Sequence, residues 1–126
     1  MSGVQAKGLH PYAFVLAVPD LGRSVGYFRD ILGFHLEWGD GIHWQAVARD
    51  GVCVMLGHCP DALAPSTLGD HNYFAYVHAD DVDALHAEIA PRGAIIRQAP
   101  ADKPWGMREM AVATPDGHRM MFGQKI

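Results

Sequence analysis

Residues 18–34 read VPDLGRSVGYFRDILGF, and this stretch carries the strand, helix and turn signals from which the fold can be predicted. The residues that lead into it, Tyr12 to Val18, have the composition of a strand, and Asp20 follows where a helix N-cap is wanted. Gly33 stands where a left-handed residue closes a helix. Between these two signals, apolar residues recur at the spacing of one helical face: Leu21, Val25, Phe28 and Leu32. The stretch therefore predicts a strand followed by a helix that ends at Gly33.

The same order occurs twice. After Gly33, turn signals at 39–41 and at Asp50-Gly51 separate three predicted strands, at 35–38, 43–49 and 52–58. The second copy begins with a strand at 73–78 and a helix that is capped by Asp80 or Asp81 and ended by Pro91 and Gly93. Three more strands follow, at about 94–98, 107–113 and 118–124. The segment between the copies is rich in Pro, Ser, Gly and Asp and is typical of a linker. The sequence thus predicts a duplicated strand-helix-three-strand unit.

A single domain over 1–126 is expected, with module one at about 11–58, a linker at 59–71 and module two at about 72–125. The fold class is α+β. Because a unit of this kind cannot bury its sheet alone, we expect the apolar faces to need the sister module or a second chain, and so predict a homodimer.

Composition narrows the possible partners. Ten Lys and Arg residues against 14 Asp and Glu give a net charge of −4, with no basic stripe, which argues against nucleic acid. No segment has the length and apolarity of a membrane span or of a secretory signal, so a cytoplasmic protein with no membrane partner is expected. Cys53 and Cys59 fit neither a zinc ribbon nor a redox pair and are predicted to be unpaired thiols.

Two stretches, VPDLGRSVGYFRDILGF at 18–34 and PWGMREMAVATPDGHRMMFG at 104–123, resemble the glyoxalase, bleomycin-resistance and extradiol-dioxygenase superfamily, also called vicinal oxygen chelate proteins. Thr114 replaces the first Asp of that family's hairpin motif. The resemblance implies paired βαβββ modules whose sheets curl around a cleft, often with modules exchanged between subunits. It also implies that metal-dependent members hold one divalent ion with four side chains, from the first and last strand of each module.

Counting from the helix caps and hairpin glycines locates these four places at Ala13, Met55, Phe74 and Met121. Ala and Phe have no donor atom and Met has only a soft thioether, whereas hard divalent ions need imidazole or carboxylate ligands. The resemblance therefore implies a metal-free member of the bleomycin-resistance type, without a cofactor. Such a protein would sequester a small hydrophobic or aromatic ligand, such as an antibiotic, rather than act as an enzyme.

Strand alternation extends the predicted cleft to Trp44 and Tyr76, while Trp105 resembles the tryptophan that lines the drug cleft in resistance proteins. Arg108 could meet an anionic or carbonyl group there. The predicted ligand-binding set is Ala13, Trp44, Met55, Phe74, Tyr76, Trp105, Arg108 and Met121, with no catalytic and no metal-binding residue. The register of the last hairpin leaves open whether Met110 or Ala111 faces the cleft.

Other interpretations remain open at this point. The apolar residues and Trp105 could serve packing alone, and Arg108 with Glu109 could be a solvated ion pair at the sheet edge. A metal-dependent lyase, isomerase or dioxygenase could use relocated ligands, for which the candidates are His43, His58, His71 and Glu109. Acid–base catalysis by one positioned Arg, Tyr or Glu, and a structural protein with a closed cleft, are further alternatives.

Overall fold

The computed structural model of the protein describes residues 6–69 and 72–126. Within these ranges the chain forms eight strands and two α-helices, in the order β1 Phe14–Val18, α1 Leu21–Gly26, β2 His35–Gly39, β3 Trp44–Arg49, β4 Val52–His58, β5 Ala75–His78, α2 Val82–Ile89, β6 Ile95–Asp102, β7 Met107–Ala113 and β8 Arg119–Lys125. A π-helical turn, Tyr27–Ile31, continues α1, and a 3₁₀ turn, Ala90–Arg92, continues α2. The predicted duplication is therefore present, and α+β is confirmed as the fold class.

The helices begin and end where the sequence signals indicated. The Asp20 carboxylate accepts the backbone N–H of Arg23, and that of Asp81 accepts the N–H of Ala84, so both N-caps are made by a side chain. Of the two caps considered for α2, Asp81 is the one used. Gly33 and Gly93 follow the two helical segments with φ of +76° and +102°, which is the left-handed region that glycine occupies without strain.

Each module forms its own four-stranded mixed sheet. The strand orders are β1-β4-β3-β2 and β5-β8-β7-β6, so the two sheets have the same topology. In both, the first strand runs parallel to the last strand of its module, and the remaining pairs are antiparallel. The helix of each module is the crossover between its first two strands, and it covers one face of the sheet.

One hydrophobic core joins the modules on the helix-bearing faces of the sheets. Its fully buried members come from both halves and include Phe28, Leu56, Ile89, Met110 and Met120. Polar contacts also cross between the modules. The Tyr27 hydroxyl donates to the carbonyl of Ala113 at 2.5 Å and accepts from the N–H of Ile95 at 3.1 Å. The Arg49 guanidinium binds both carboxylate oxygens of Glu88.

Some predicted boundaries are wrong by a few residues. Strand β1 begins at Phe14 rather than Tyr12, and β5 begins at Ala75 rather than Tyr73. Strand β6 continues to Asp102, four residues beyond the prediction, because it resumes pairing with β7 after an irregularity. Of the predicted linker, residues 70 and 71 lie outside the described ranges. No helix in the described part of the chain is both long and apolar enough to cross a membrane.

Candidate functional site

Each sheet has one face that is turned away from the helices, and we call these two faces the open faces of module one and module two. Several of the predicted ligand-binding residues lie on them. On the open face of module one, Met55 of β4 pairs with Val15 of β1 and with Ala46 of β3. Its neighbours Val15 and Trp44 are 59% and 42% exposed. Large apolar side chains with this much exposure form a surface suited to contact with another apolar group.

Trp44 lies flat across this surface because Gly57 has no side chain. Trp44 is paired directly with Gly57 in the β3–β4 ladder. A Cβ atom at Gly57 would lie 2.8 Å from the indole atoms Cη2 and Cζ3. The missing methyl group therefore lets the indole ring rest on the backbone of β4.

On the open face of module two, a different aromatic residue, Tyr76, packs over a glycine in the same way. A Cβ atom at Gly123 would overlap the Tyr76 hydroxyl oxygen and would lie 2.6 Å from Cζ. The phenol ring thus crosses the backbone of β8 at Gly123. In this position the Tyr76 hydroxyl donates to Glu109 Oε2 at 2.6 Å.

Glu109 is the most buried charged side chain of this face, at 5% exposure. Besides Tyr76, the indole Nε1 of Trp105 donates to the same oxygen, Oε2, at 3.0 Å. Burial first, and then the hydrogen bond and negative charge of Glu109, raise the pKa of Tyr76 to about 12. The phenol is therefore held as a donor, and Glu109 as its acceptor.

The strand registers show which residues of the two modules are equivalent. Met55 pairs with Val15 as Met121 pairs with Tyr76, and Trp44 pairs with Gly57 as Glu109 pairs with Gly123. Counting through the repeat therefore located Met55 and Met121 at matching positions. The two open faces differ where it matters for chemistry, because module one has Val15 and Trp44 at the places where module two has Tyr76 and Glu109.

Arg108 does not lie on an open face, contrary to its predicted place in the cleft. Its guanidinium contacts the carboxylates of Asp83 on α2 and Asp102 on β6 at 3.0 and 2.9 Å. These two hydrogen-bonded carboxylates raise the pKa of Arg108 further above its usual range. The idea of a solvated Arg108–Glu109 pair is also wrong, because the two side chains extend to opposite faces of β7.

Phe74 and Ala13 precede the strands to which they were assigned. The Phe74 ring is partly buried against the core and makes edge-to-face contacts with Phe14 and His118, with ring centroids 5.9 and 6.4 Å apart. Phe74 therefore belongs to the packing between the modules, since Phe14 is in module one. Ala13 is half-buried immediately before β1.

Sequence reasoning underestimated Glu109. The structure settles the register of the last hairpin: Ala111 pairs with Met121 on the open face, whereas Met110 is fully buried in the core. Glu109, two residues before Ala111, must then share the open face. Alternation from Met121 would have found Glu109 if the pairing of β7 with β8 had been known.

Two of the relocated metal ligands considered from sequence are neighbours, since the backbone N–H of His58 donates to the carbonyl of His43 at 2.9 Å, but they are not part of a metal-binding group in the described residues. His43 is exposed and bonded to Asp40, with Nδ1 2.8 Å from the carboxylate, and His58 is exposed at the end of β4. Within residues 6–69 and 72–126, no group of three His, Cys, Asp or Glu side chains is arranged to hold a metal ion. His71 lies outside the described residues. Cys53 and Cys59 form no disulfide.

Two surface pockets lie apart from the predicted ligand-binding residues. One, of about 370 Å³, is formed by the linker around Leu63 and the turn at 114–117, and it borders the open faces at Ala17 and Ile95. The other, of about 660 Å³, lies between the β3–β4 turn and α2. None of the eight predicted ligand-binding residues lines either pocket.

Residues 8–122 match the model of the Glyoxalase/Bleomycin resistance protein/Dioxygenase superfamily, and the chain belongs to this superfamily. A comparison with curated protein sequences gave no match.

Several solved structures share this fold. TioX from Micromonospora sp. ML1 is 27% identical, with a TM-score of 0.74 over 94% of this chain and 100% of that one. The bleomycin-binding protein of bleomycin-producing Streptomyces verticillus, solved with copper(II)-bleomycin, is 26% identical, with a TM-score of 0.71 over 94% and 97% of the two chains. The antibiotic-binding protein TnmS3 from Streptomyces sp. CB03234, at 24% identity, shares the fold with a TM-score of 0.70 over 95% and 100%.

Proposed function

We propose that this protein binds a flat, largely apolar small molecule, such as an antibiotic, between the open face of module one and the open face of module two. The observation that carries the proposal is the exposed aromatic surface: Trp44 and Trp105 are 42% and 64% exposed, yet each is held in place by its neighbours. Fixed aromatic rings give a stacking ligand a large contact area at small cost in side-chain entropy. The similarity to a bleomycin-binding protein supports an antibiotic as the ligand.

The proposal includes a homodimer, in which the open face of module one in one copy meets the open face of module two in the other. The modules of one chain already contact each other through their helix-bearing sides, so each open face remains uncovered in a single chain. A second copy would cover the exposed Val15 and enclose the ligand from two sides. Association of this kind buries apolar surface that otherwise faces water.

Binding without a metal ion is part of the same proposal. It is supported by the chemistry of the side chains at the four places where the superfamily's metal-dependent members have ligands, here Ala13, Met55, Phe74 and Met121. Two of them, Met55 and Met121, lie at equivalent positions of the two open faces, where a flexible thioether fits irregular apolar ligands. The cytoplasm is the proposed compartment.

Thermal unfolding of the untagged protein against a panel of planar antibiotics, and separately against metal-free bleomycin, tests the function. A ligand at about 100 times its Kd stabilises the folded state by about 2.7 kcal/mol, which raises Tm by several degrees. We expect Trp44→Ala to lose this shift and Leu63→Ala, which alters the linker pocket, to keep it. A Tm shift lost only in Leu63→Ala would indicate that the ligand binds in the linker pocket instead. A shift that disappears on chelation of divalent metal would contradict metal-free binding.

Sedimentation equilibrium tests the dimer separately. We expect the wild-type protein to sediment as a dimer and Val15→Glu to sediment as a folded monomer, because a carboxylate at this place would be buried without a partner. Leu68→Glu, at an exposed position of the linker, is the matched control and should remain dimeric. A monomeric wild-type protein would overturn the paired arrangement.

A further inference from the structure

Glu109 has a combination of burial and charge that packing does not require. It is 5% exposed and lies on the open face of module two. The equivalent position on the open face of module one is occupied by Trp44. A buried carboxylate is costly unless other groups compensate its charge. Within residues 6–69 and 72–126, no Lys, Arg or His forms an ion pair with Glu109.

Arg108, the cationic residue next to Glu109 in sequence, is paired with other carboxylates. Arg108 extends to the opposite face of β7, where Asp83 and Asp102 occupy its guanidinium. The charge of Glu109 is therefore not balanced by its neighbour. The surroundings offer neutral donors instead, since Tyr76 and Trp105 donate a hydroxyl and an indole N–H.

Both of these donors reach the same carboxylate oxygen. The two hydrogen bonds end on Oε2, at 2.6 and 3.0 Å, and within the described residues no side chain donates to Oε1. Every fully buried polar side-chain atom in this part of the chain has a partner, so Oε1, which accepts no hydrogen bond there, is not fully buried. Two fixed donors orient the carboxylate and leave one oxygen for a donor from outside.

From this geometry we propose that Glu109 is the recognition group for a protonated nitrogen on the ligand, so that the site selects planar compounds that carry a cationic amine. This inference rests on the proposed binding function and adds the ligand's charge to it. The amine donates to Oε1 in a charge-assisted hydrogen bond, while the apolar part of the ligand lies on the aromatic surface. The net charge of −4 favours the approach of a cation over that of an anion.

Three acridines of nearly equal shape provide the probes: protonated aminoacridine, neutral acridine and acridine carboxylate. Their binding to the full-length protein is measured by fluorescence titration. We expect the cation to bind more tightly than neutral acridine by a factor of about ten or more, because neutral acridine cannot donate the hydrogen bond to the charged carboxylate. The anion should bind most weakly.

The variant Glu109→Gln keeps the shape and the acceptor oxygen but removes the charge. We expect it to bind aminoacridine and acridine equally, through loss of cation binding with little change for the neutral compound. Asp61→Asn, the same change of charge at an exposed turn, should preserve the preference of the wild type. A circular dichroism spectrum and Tm close to those of the wild type would establish that Glu109→Gln is folded.

Failure of this inference differs from failure of the function. If the wild type binds cation and neutral compound equally, and Glu109→Gln changes neither, the role of Glu109 is refuted while planar-ligand binding stands. If Asp61→Asn loses the preference as fully as Glu109→Gln, general charge rather than Glu109 is responsible, and the inference is also refuted. If the wild type binds none of the three acridines, both the inference and the binding of planar compounds are contradicted.

Discussion

The hydrogen bond between Tyr76 and Glu109 can be tested by removal of the Tyr76 hydroxyl group alone. Tyr76→Phe deletes the hydroxyl that donates to Oε2 at 2.6 Å and keeps the ring that crosses the backbone at Gly123. A hydrogen bond to a charged group contributes about 1.5–3 kcal/mol, and Trp105 still donates to the same oxygen. We therefore expect a loss of about 1.5–2 kcal/mol in the free energy of unfolding, measured by urea denaturation near neutral pH.

The pH dependence provides a second readout that simple loss of packing would not produce. Folding raises the pKa of Tyr76 from 10 to about 12, so the folded state holds this proton more firmly than the unfolded chain. The stabilisation is complete below the unfolded pKa and is lost as the pH rises through the folded pKa. The difference in stability between wild type and Tyr76→Phe should shrink between pH 10 and about pH 12. A difference below about 0.5 kcal/mol at neutral pH, or one independent of pH in this range, would refute the reasoning.

Two further changes test other contacts. Gly57→Ala places a methyl group 2.8 Å from the Trp44 ring, so the indole should be displaced into solvent with a red shift of its fluorescence, whereas Gly51→Ala, which meets no atom within 4 Å, should leave the emission unchanged. Equal spectra for the two variants would contradict the close packing at Gly57. Arg49→Met removes the contact with Glu88 between the modules and should cost about 1 kcal/mol in chemical denaturation. Because Arg49 lowers the pKa of Glu88, this difference should be full above the ordinary pKa of a glutamate and fade as the pH falls through the lowered value, and a pH-independent difference would contradict the ion pair.

The repeated architecture could be predicted because its signals are local. The caps Asp20 and Asp81 and the glycines at 33 and 93 act within one turn of a helix, so their effect does not depend on distant parts of the chain. The positions of Met55 and Met121 followed for a related reason. Each lies a fixed number of residues after a tight turn, and a tight turn fixes the register of the strand that follows.

Glu109 and Arg108 show where sequence reasoning stops. Alternation requires these neighbours to lie on opposite faces of β7, but it does not say which face each occupies. That choice depends on the pairing of β7 with β8 and on the irregular pairing of β6, which are long-range contacts. Phe74 was misplaced for another reason: it precedes β5, where strand alternation does not apply.

The replacement of Trp44 in module one by Glu109 at the equivalent place of module two has a consequence for orientation. Two copies of an identical module would face each other with like walls, and a ligand could enter either way round. Here one wall offers an indole ring and the other a carboxylate. In the proposed dimer, a molecule with one cationic end would therefore bind preferentially with that end at Glu109, and turning it end for end would replace the charge-assisted hydrogen bond by the weaker attraction of a cation to the indole ring.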